Sequence, residues 1–190
     1  MKKEELLQYL QNEGFSSKII EVFRKIKRED FVRKDMLHLT YENIALPLTK
    51  GATISQPSTI AYMLELLNVK EGQNILEIGS GSGYVLALIS SMIKKGKIYG
   101  IEIIKELAEK SKEILKKDKK IVVFQKDGSQ GLQEKSPFDR ILISASADKL
   151  PENLYSQLKD NGILVVPVKN SIFKISKQNG RILKREFPGF

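Results

Sequence analysis

From residue 74 onward, short apolar runs alternate with amphipathic stretches, and this alternation is the strongest structural signal in the chain. The runs 74–78, 98–102, 121–125, 140–144 and 162–167 are apolar at most positions, so the strands they predict are buried on both faces. Helical stretches between them imply a parallel sheet covered on both sides. Two further runs, 172–176 and 182–187, flank Asn179-Gly180, a strong two-residue hairpin signal, and predict an antiparallel hairpin at the end of the sheet. Upstream, helical spacing covers 4–9 and 18–27, with Ser16 or Ser17 suited to capping the second helix. Between Asp30 and Pro57 the periodicity is lost, and Pro47, Gly51 and Pro57 punctuate the stretch. It is long for a connector, which marks it as a functional loop. A helix over 58–67 follows, with Ile60, Ala61, Met63, Leu64 and Leu67 on one face.

Composition narrows the chemistry. At 190 residues and 41% apolar content the chain supports one core. It has no cysteine, hence no disulfide, thiolate metal site or cysteine nucleophile, and its single histidine leaves no imidazole pair for zinc. No metal is expected. The opening residues are polar and no apolar run approaches the length of a membrane span, so a cytoplasmic protein without membrane contact is expected. The net charge of +9 raises nucleic acid as a partner. The lysines, however, gather at predicted helix ends, at 94, 95 and 97 and at 116, 117, 119 and 120, where they complement the helix dipole and stay hydrated. Nucleic acid is therefore not the expected partner.

The segment 75–84 reads Ile-Leu-Glu-Ile-Gly-Ser-Gly-Ser-Gly-Tyr, an apolar strand and an acid followed by a glycine-rich turn into the helix predicted at 85–93. Such a turn lets a ligand approach the backbone and aims free N–H groups at it. Tyr84 stands where the third glycine of a dinucleotide fingerprint falls. With Glu77 in front, the glycines at 79, 81 and 83 match the E/D-x-G-x-G-x-G loop of methyltransferases that bind S-adenosylmethionine. In a doubly wound sheet the ligand lies beyond the carboxyl ends of the strands. Gly79, Ser80, Gly81 and Gly83 follow the first strand and are placed for the methionine part of the cofactor. Glu102 ends the second, placed for the ribose hydroxyls, and Asp127-Gly128 follows the third, placed for adenine. Glu77 either contacts the cofactor or braces the loop. A Rossmann-like methyltransferase of the α/β class, with a mostly parallel seven-stranded sheet flanked by helices, follows. Residues 1–57 form a helical segment with an active-site loop and 58–190 the cofactor-binding core, together one compact unit.

The acceptor is read from what is missing. After the fourth strand the chain reads Ser144-Ala145-Ser146-Ala147, with neither the aromatic platform nor the carboxamide that positions a base amine. A carboxylate acceptor is ionised at pH 7 and needs no general base, only desolvation and aim. Small residues such as Ala145 and Ser146 leave room for a peptide.

The segment 41–57, Tyr-Glu-Asn-Ile-Ala-Leu-Pro-Leu-Thr-Lys-Gly-Ala-Thr-Ile-Ser-Gln-Pro, closely resembles the protein-L-isoaspartate O-methyltransferase family. The likeness continues through 77–84, Asp127-Gly128, Pro137-Phe138-Asp139 and Pro167-Val168, covering most of the chain. It implies methylation of the free carboxylate of isoaspartyl residues in damaged proteins, the ester then cyclising to a succinimide that hydrolyses in part to normal aspartate. It implies S-adenosyl-L-methionine as cofactor, S-adenosyl-L-homocysteine as product, and a monomer. Ser55 becomes the catalytic serine, touching cofactor and substrate carboxylate, with Thr53 and Ile54 shaping the cofactor side and Gln56, Ala145 and Ser146 the substrate side. Capping of the following helix is the alternative role for Ser55. The chain departs from the family at Ala145-Ser146-Ala147-Asp148, at Lys169-Asn170-Ser171, and at its C-terminal end, where the last strand is expected to be short. Two rival readings follow: an RNA methyltransferase, from the charge, and a cofactor-binding homologue without catalysis, from the C-terminal departure.

Overall fold

A computed structural model describes residues 1–49 and 51–189. Its centre is a seven-stranded sheet in the order β5-β4-β3-β6-β7-β8-β9. The strands are β3 (Asn74–Ile78), β4 (Lys97–Glu102), β5 (Ile121–Gln125), β6 (Phe138–Ile143), β7 (Leu158–Val168), β8 (Ser171–Gln178) and β9 (Arg181–Pro188). The pairs from β5 through β7 are parallel, and β8 and β9 run antiparallel. All eight residues of β9 pair with β8, so the short last strand expected from the sequence is complete against its partner. β9 is the outer strand, and Arg181, Leu183, Lys184, Arg185 and Glu186 along it are exposed.

Alternation along the strands divides the core in two. Ile75 joins the cluster beneath α3 (Pro57–Leu67) and α4 (Tyr84–Ser91), and its neighbour Leu76 joins the one on the opposite face. Glu77 has the parity of Ile75, which sets a carboxyl group on an apolar face. The helices α1 (Lys3–Asn12) and α2 (Ser17–Lys25) bury Leu6, Leu10, Ile19 and Phe23 in the same cluster. In the same cluster α5 (Lys105–Leu115) packs along β4 and β5, burying Leu107, Ala108 and Leu115.

Two expectations need correction. Residues 30–57 are not structureless: they hold 3-10 turns and a small hairpin, β1 (Leu46–Thr49) with β2 (Ala52–Ile54). Such strands are too short to show a period of two. Nor do helices separate all the parallel strands, since single 3-10 segments, Gln133–Lys135 and Glu152–Gln157, span the connections on either side of β6.

β4 lies on one side of β3 and β6 on the other, so the connections leave in opposite directions at the β3/β6 boundary. Ligands bind at this kind of topological switch point, outside the carboxyl ends of the strands.

Candidate active site

The turn after β3 is held from below. The N–H groups of Gly79 and Ser80 both donate to the Ile101 carbonyl, at 2.8 and 3.0 Å, and Gly83 N–H donates to the Ser80 carbonyl at 2.8 Å. Gly79, Gly81 and Gly83 all have positive φ, the region where a side chain is strained. A Cβ on Gly79 would lie 2.7 Å from that of Ala145, so the turn touches the segment after β6.

Glu102, nearly buried at the end of β4, spans the base of this turn. One carboxylate oxygen accepts from Gly81 N–H at 2.8 Å and the other from Ile104 N–H at 2.8 Å. A carboxylate has about four acceptor positions, so two remain for a ligand. Asp127 accepts from Ser129 N–H at 2.8 Å, which shapes the turn after β5. Gly128, which lines the cleft, also has a packing reason to be glycine. Its missing Cβ would stand 2.5 Å from Ile78 Cγ2, so the strand ends close only without a side chain there.

These residues share a cleft of about 1070 Å³. Gly79, Gly81, Glu102, Ile103, Asp127 and Gly128 line one part, and Thr53, Ser144, Ala145 and Ser146 line another. Next to it a small cavity of about 40 Å³ is bounded by Thr53, Ile54, Ser55, Glu77, Ser80 and Ser144. That is room for roughly one water. The Ser55 hydroxyl faces it with no hydrogen-bond partner among the described residues. The N-cap of α3 is Gln56, not Ser55, which removes the capping alternative. Gln56 and Gly83 line neither space. Gln56 donates to Ser58 Oγ at 2.8 Å, and the missing Cβ of Gly83 makes room for Leu115 and Ser111 of α5.

Glu77 is the least ordinary group here. Fully buried, it accepts from the Ser144 hydroxyl at 2.6 Å through one oxygen, and its other oxygen has no partner among the described residues. Burial pushes its pKa up to about 8; the Ser144 bond opposes this, and the Glu102 charge adds to it. Burial thus favours the protonated form of Glu77. An unfolded carboxyl ionises near pH 4 to 5, so stability should fall as pH rises from there to about 8 and level off above it. Glu77→Gln removes that slope. Thermal melts should place the variant roughly 5 °C or more above the parent at pH 8.5, with little difference at pH 4.5. Parallel pH profiles for the two proteins would refute this.

Sequence reasoning missed Ser144 as the partner of Glu77, and Gly100, where a Cβ would meet Leu86 and Ser80. It also missed Arg28, a guanidinium with no exposed surface that donates to the Ser55 carbonyl at 2.9 Å. Among the described residues no cluster of three or more His, Cys, Asp or Glu could hold a metal ion, and no helix is long and apolar enough to cross a membrane.

A family model described as protein-L-isoaspartate(D-aspartate) O-methyltransferase matches residues 1–187. The chain belongs to that family. A protein-L-isoaspartate O-methyltransferase from Dictyoglomus turgidum is 39% identical over 195 aligned positions, covering 99% of this chain and 88% of that one. A solved structure of the same name superimposes over the whole chain with TM-score 0.90 and 28% identity, and this chain spans 64% of its length. Another, from Plasmodium falciparum and described as this methyltransferase in complex with S-adenosyl-L-homocysteine, aligns over 100% of this chain and 96% of its own, with TM-score 0.87 and 27% identity. The Rossmann-like methyltransferase fold is thus shared with isoaspartate methyltransferases along the full described chain.

Proposed function

We propose that the protein transfers a methyl group from S-adenosyl-L-methionine to the free carboxylate of L-isoaspartyl residues, the first step of repair through a succinimide. The observation that carries this is Ser55 beside the glycine turn, its hydroxyl uncommitted among the described residues. The site fits the cofactor. Gly79 and Gly81 line the cleft, where backbone without side chains lets a ligand come close, and Glu102 has acceptor capacity for two ribose hydroxyls. Bound there, the cofactor supplies a methyl carbon on a positively charged sulfur.

The remaining work is positioning. The Ser55 hydroxyl donates to the isoaspartyl carboxylate and turns one oxygen toward the methyl carbon. Thr53 and Ile54 wall the approach and keep water from the reacting oxygen. Ala145 and Ser146, both exposed, give the peptide backbone a low rim to cross. With the cofactor held by Gly79, Gly81 and Glu102, its methyl group would pass to the carboxylate oxygen and the bonding pair would stay with the leaving sulfur. An ionised carboxylate acceptor needs no proton removed.

A monomer working in the cytoplasm belongs to the same proposal, supported by a cysteine-free chain that needs no oxidising compartment. Nucleic acid is left out because Lys97 and Lys120, with the lysines before them, stand at the amino ends of β4 and β5, away from the cleft. Two peptides of one sequence, one with isoaspartate and one with aspartate, test the reaction. Base-labile methyl ester should form on the first alone, and ester on neither would defeat the proposal. Ser55→Ala should lower kcat/KM for the isoaspartyl peptide about 10- to 100-fold, the worth of a hydrogen bond to a charged group. An unchanged rate removes Ser55 from the chemistry.

A further inference from the structure

We infer that Arg28 is a positioning residue for methyl transfer, a buried clamp that sets the Ser55 loop against the cofactor turn; this rests on the function proposed above. Arg28 has no exposed surface and makes no ion pair among the described residues. The acid beside it, Glu29, is taken by the Tyr41 hydroxyl. What Arg28 holds is backbone. Its Nε donates to the Thr40 carbonyl at 3.0 Å and its Nη2 to the Ser55 carbonyl at 2.9 Å. These two carbonyls bracket the segment that carries the β1/β2 hairpin. The guanidinium also lies over the ring of Tyr84, 5.2 Å from its centroid, and Tyr84 is the first residue of α4, directly after the glycine turn. Phe23 and Phe31 pack on the same ring.

Burying a guanidinium without a counter-charge is costly, and Nη1 finds no hydrogen-bond partner among the described residues. Filling a core does not require such a group, because an apolar side chain does that at lower cost. A planar fork can grip two carbonyls and stack on an aromatic face together, which an ammonium cannot do. With its carbonyl drawn to Arg28, Ser55 is left with its side chain lining the small cavity. The clamp thus joins the residue that aims the acceptor to the turn that holds the donor, where a displacement of about 1 Å can cost about 100-fold in rate.

Arg28→Lys keeps the charge and loses the fork. The test compares it with the parent, both saturated with S-adenosyl-L-homocysteine for hydrogen exchange and both assayed on the isoaspartyl peptide well below their melting temperatures. The expected result is faster amide exchange confined to 40–56, homocysteine-product affinity within about threefold of the parent, and kcat/KM lower by at least about 30-fold. Three results overturn the inference: exchange at 40–56 unchanged, kcat/KM within threefold, or an affinity loss as large as the rate loss. If Arg28→Lys does not fold, Arg28→Gln is measured in its place, and loss of the folded circular dichroism spectrum in both makes Arg28 a core residue and ends the proposal. Should the parent itself fail to methylate the peptide, the functional reading falls, and the exchange pattern at 40–56 alone still decides whether Arg28 clamps the loop.

Discussion

Glu102→Ala should abolish useful cofactor binding, with S-adenosyl-L-homocysteine affinity falling about 1000-fold or more by calorimetry. Three losses coincide at one residue. The Gly81 N–H and the Ile104 N–H each lose a charged acceptor at 2.8 Å, and the ribose hydroxyls lose theirs. Hydrogen bonds to a charged group contribute about 1.5–3 kcal/mol each, so two or three together account for that factor even after the turn relaxes. Glu102→Gln separates the parts. A neutral carboxamide of the same size keeps one acceptor oxygen and presents N–H donors where the other oxygen accepted, so a loss of about 100-fold is expected. An affinity within threefold of the parent for Glu102→Gln would show that this carboxylate does not receive the cofactor.

Gly79→Ala should be nearly as damaging, and for a steric reason. At φ 77° an alanine incurs the left-handed penalty of about 1–2 kcal/mol, and its Cβ would also stand 2.7 Å from Ala145 Cβ and 2.9 Å from Ala145 N. Backbone cannot swing aside as a flexible side chain can, so the turn and the segment after β6 must part. Turnover on the isoaspartyl peptide is expected to drop at least about 100-fold. Gly14→Ala is the control: its φ is 86° but nothing lies within 4 Å of the added Cβ. That variant should melt a few degrees lower and turn over normally. Equal activity loss in both would mean that backbone strain, and not the contact with Ala145, is what matters at Gly79.

What the sequence made legible was whatever has a local cause. The strands of the sheet are visible because Ile75, Leu76, Ile98 and Ile101 are apolar on both faces, and the hairpin because Asn179-Gly180 sets its turn. Glu102 and Asp127 could be placed because strand ends follow from strand limits. The rest depends on register and on distant segments. Ser144 meets Glu77 only because β6 lies beside β3 in one particular register, pairing Glu77 with Leu142. Arg28 sits in Arg28-Glu29-Asp30, a run that reads as solvated charge, and its burial comes from Thr40, Ser55 and Tyr84, up to 56 positions away. Gly83 and Gly128 were legible as necessary glycines, but their neighbours are Leu115 and Ile78, and a motif does not name its packing partners.

The outer strand of the sheet bears on the company this protein keeps. Aged proteins are often locally unravelled, and an unravelled chain seeks any free row of backbone N–H and C=O groups to pair with. β9 is such a row, but Arg181, Lys184, Arg185 and Glu186 stand along it and Pro188 removes a donor at its end. A line of hydrated charges along this margin thus keeps the free edge from pairing with another chain.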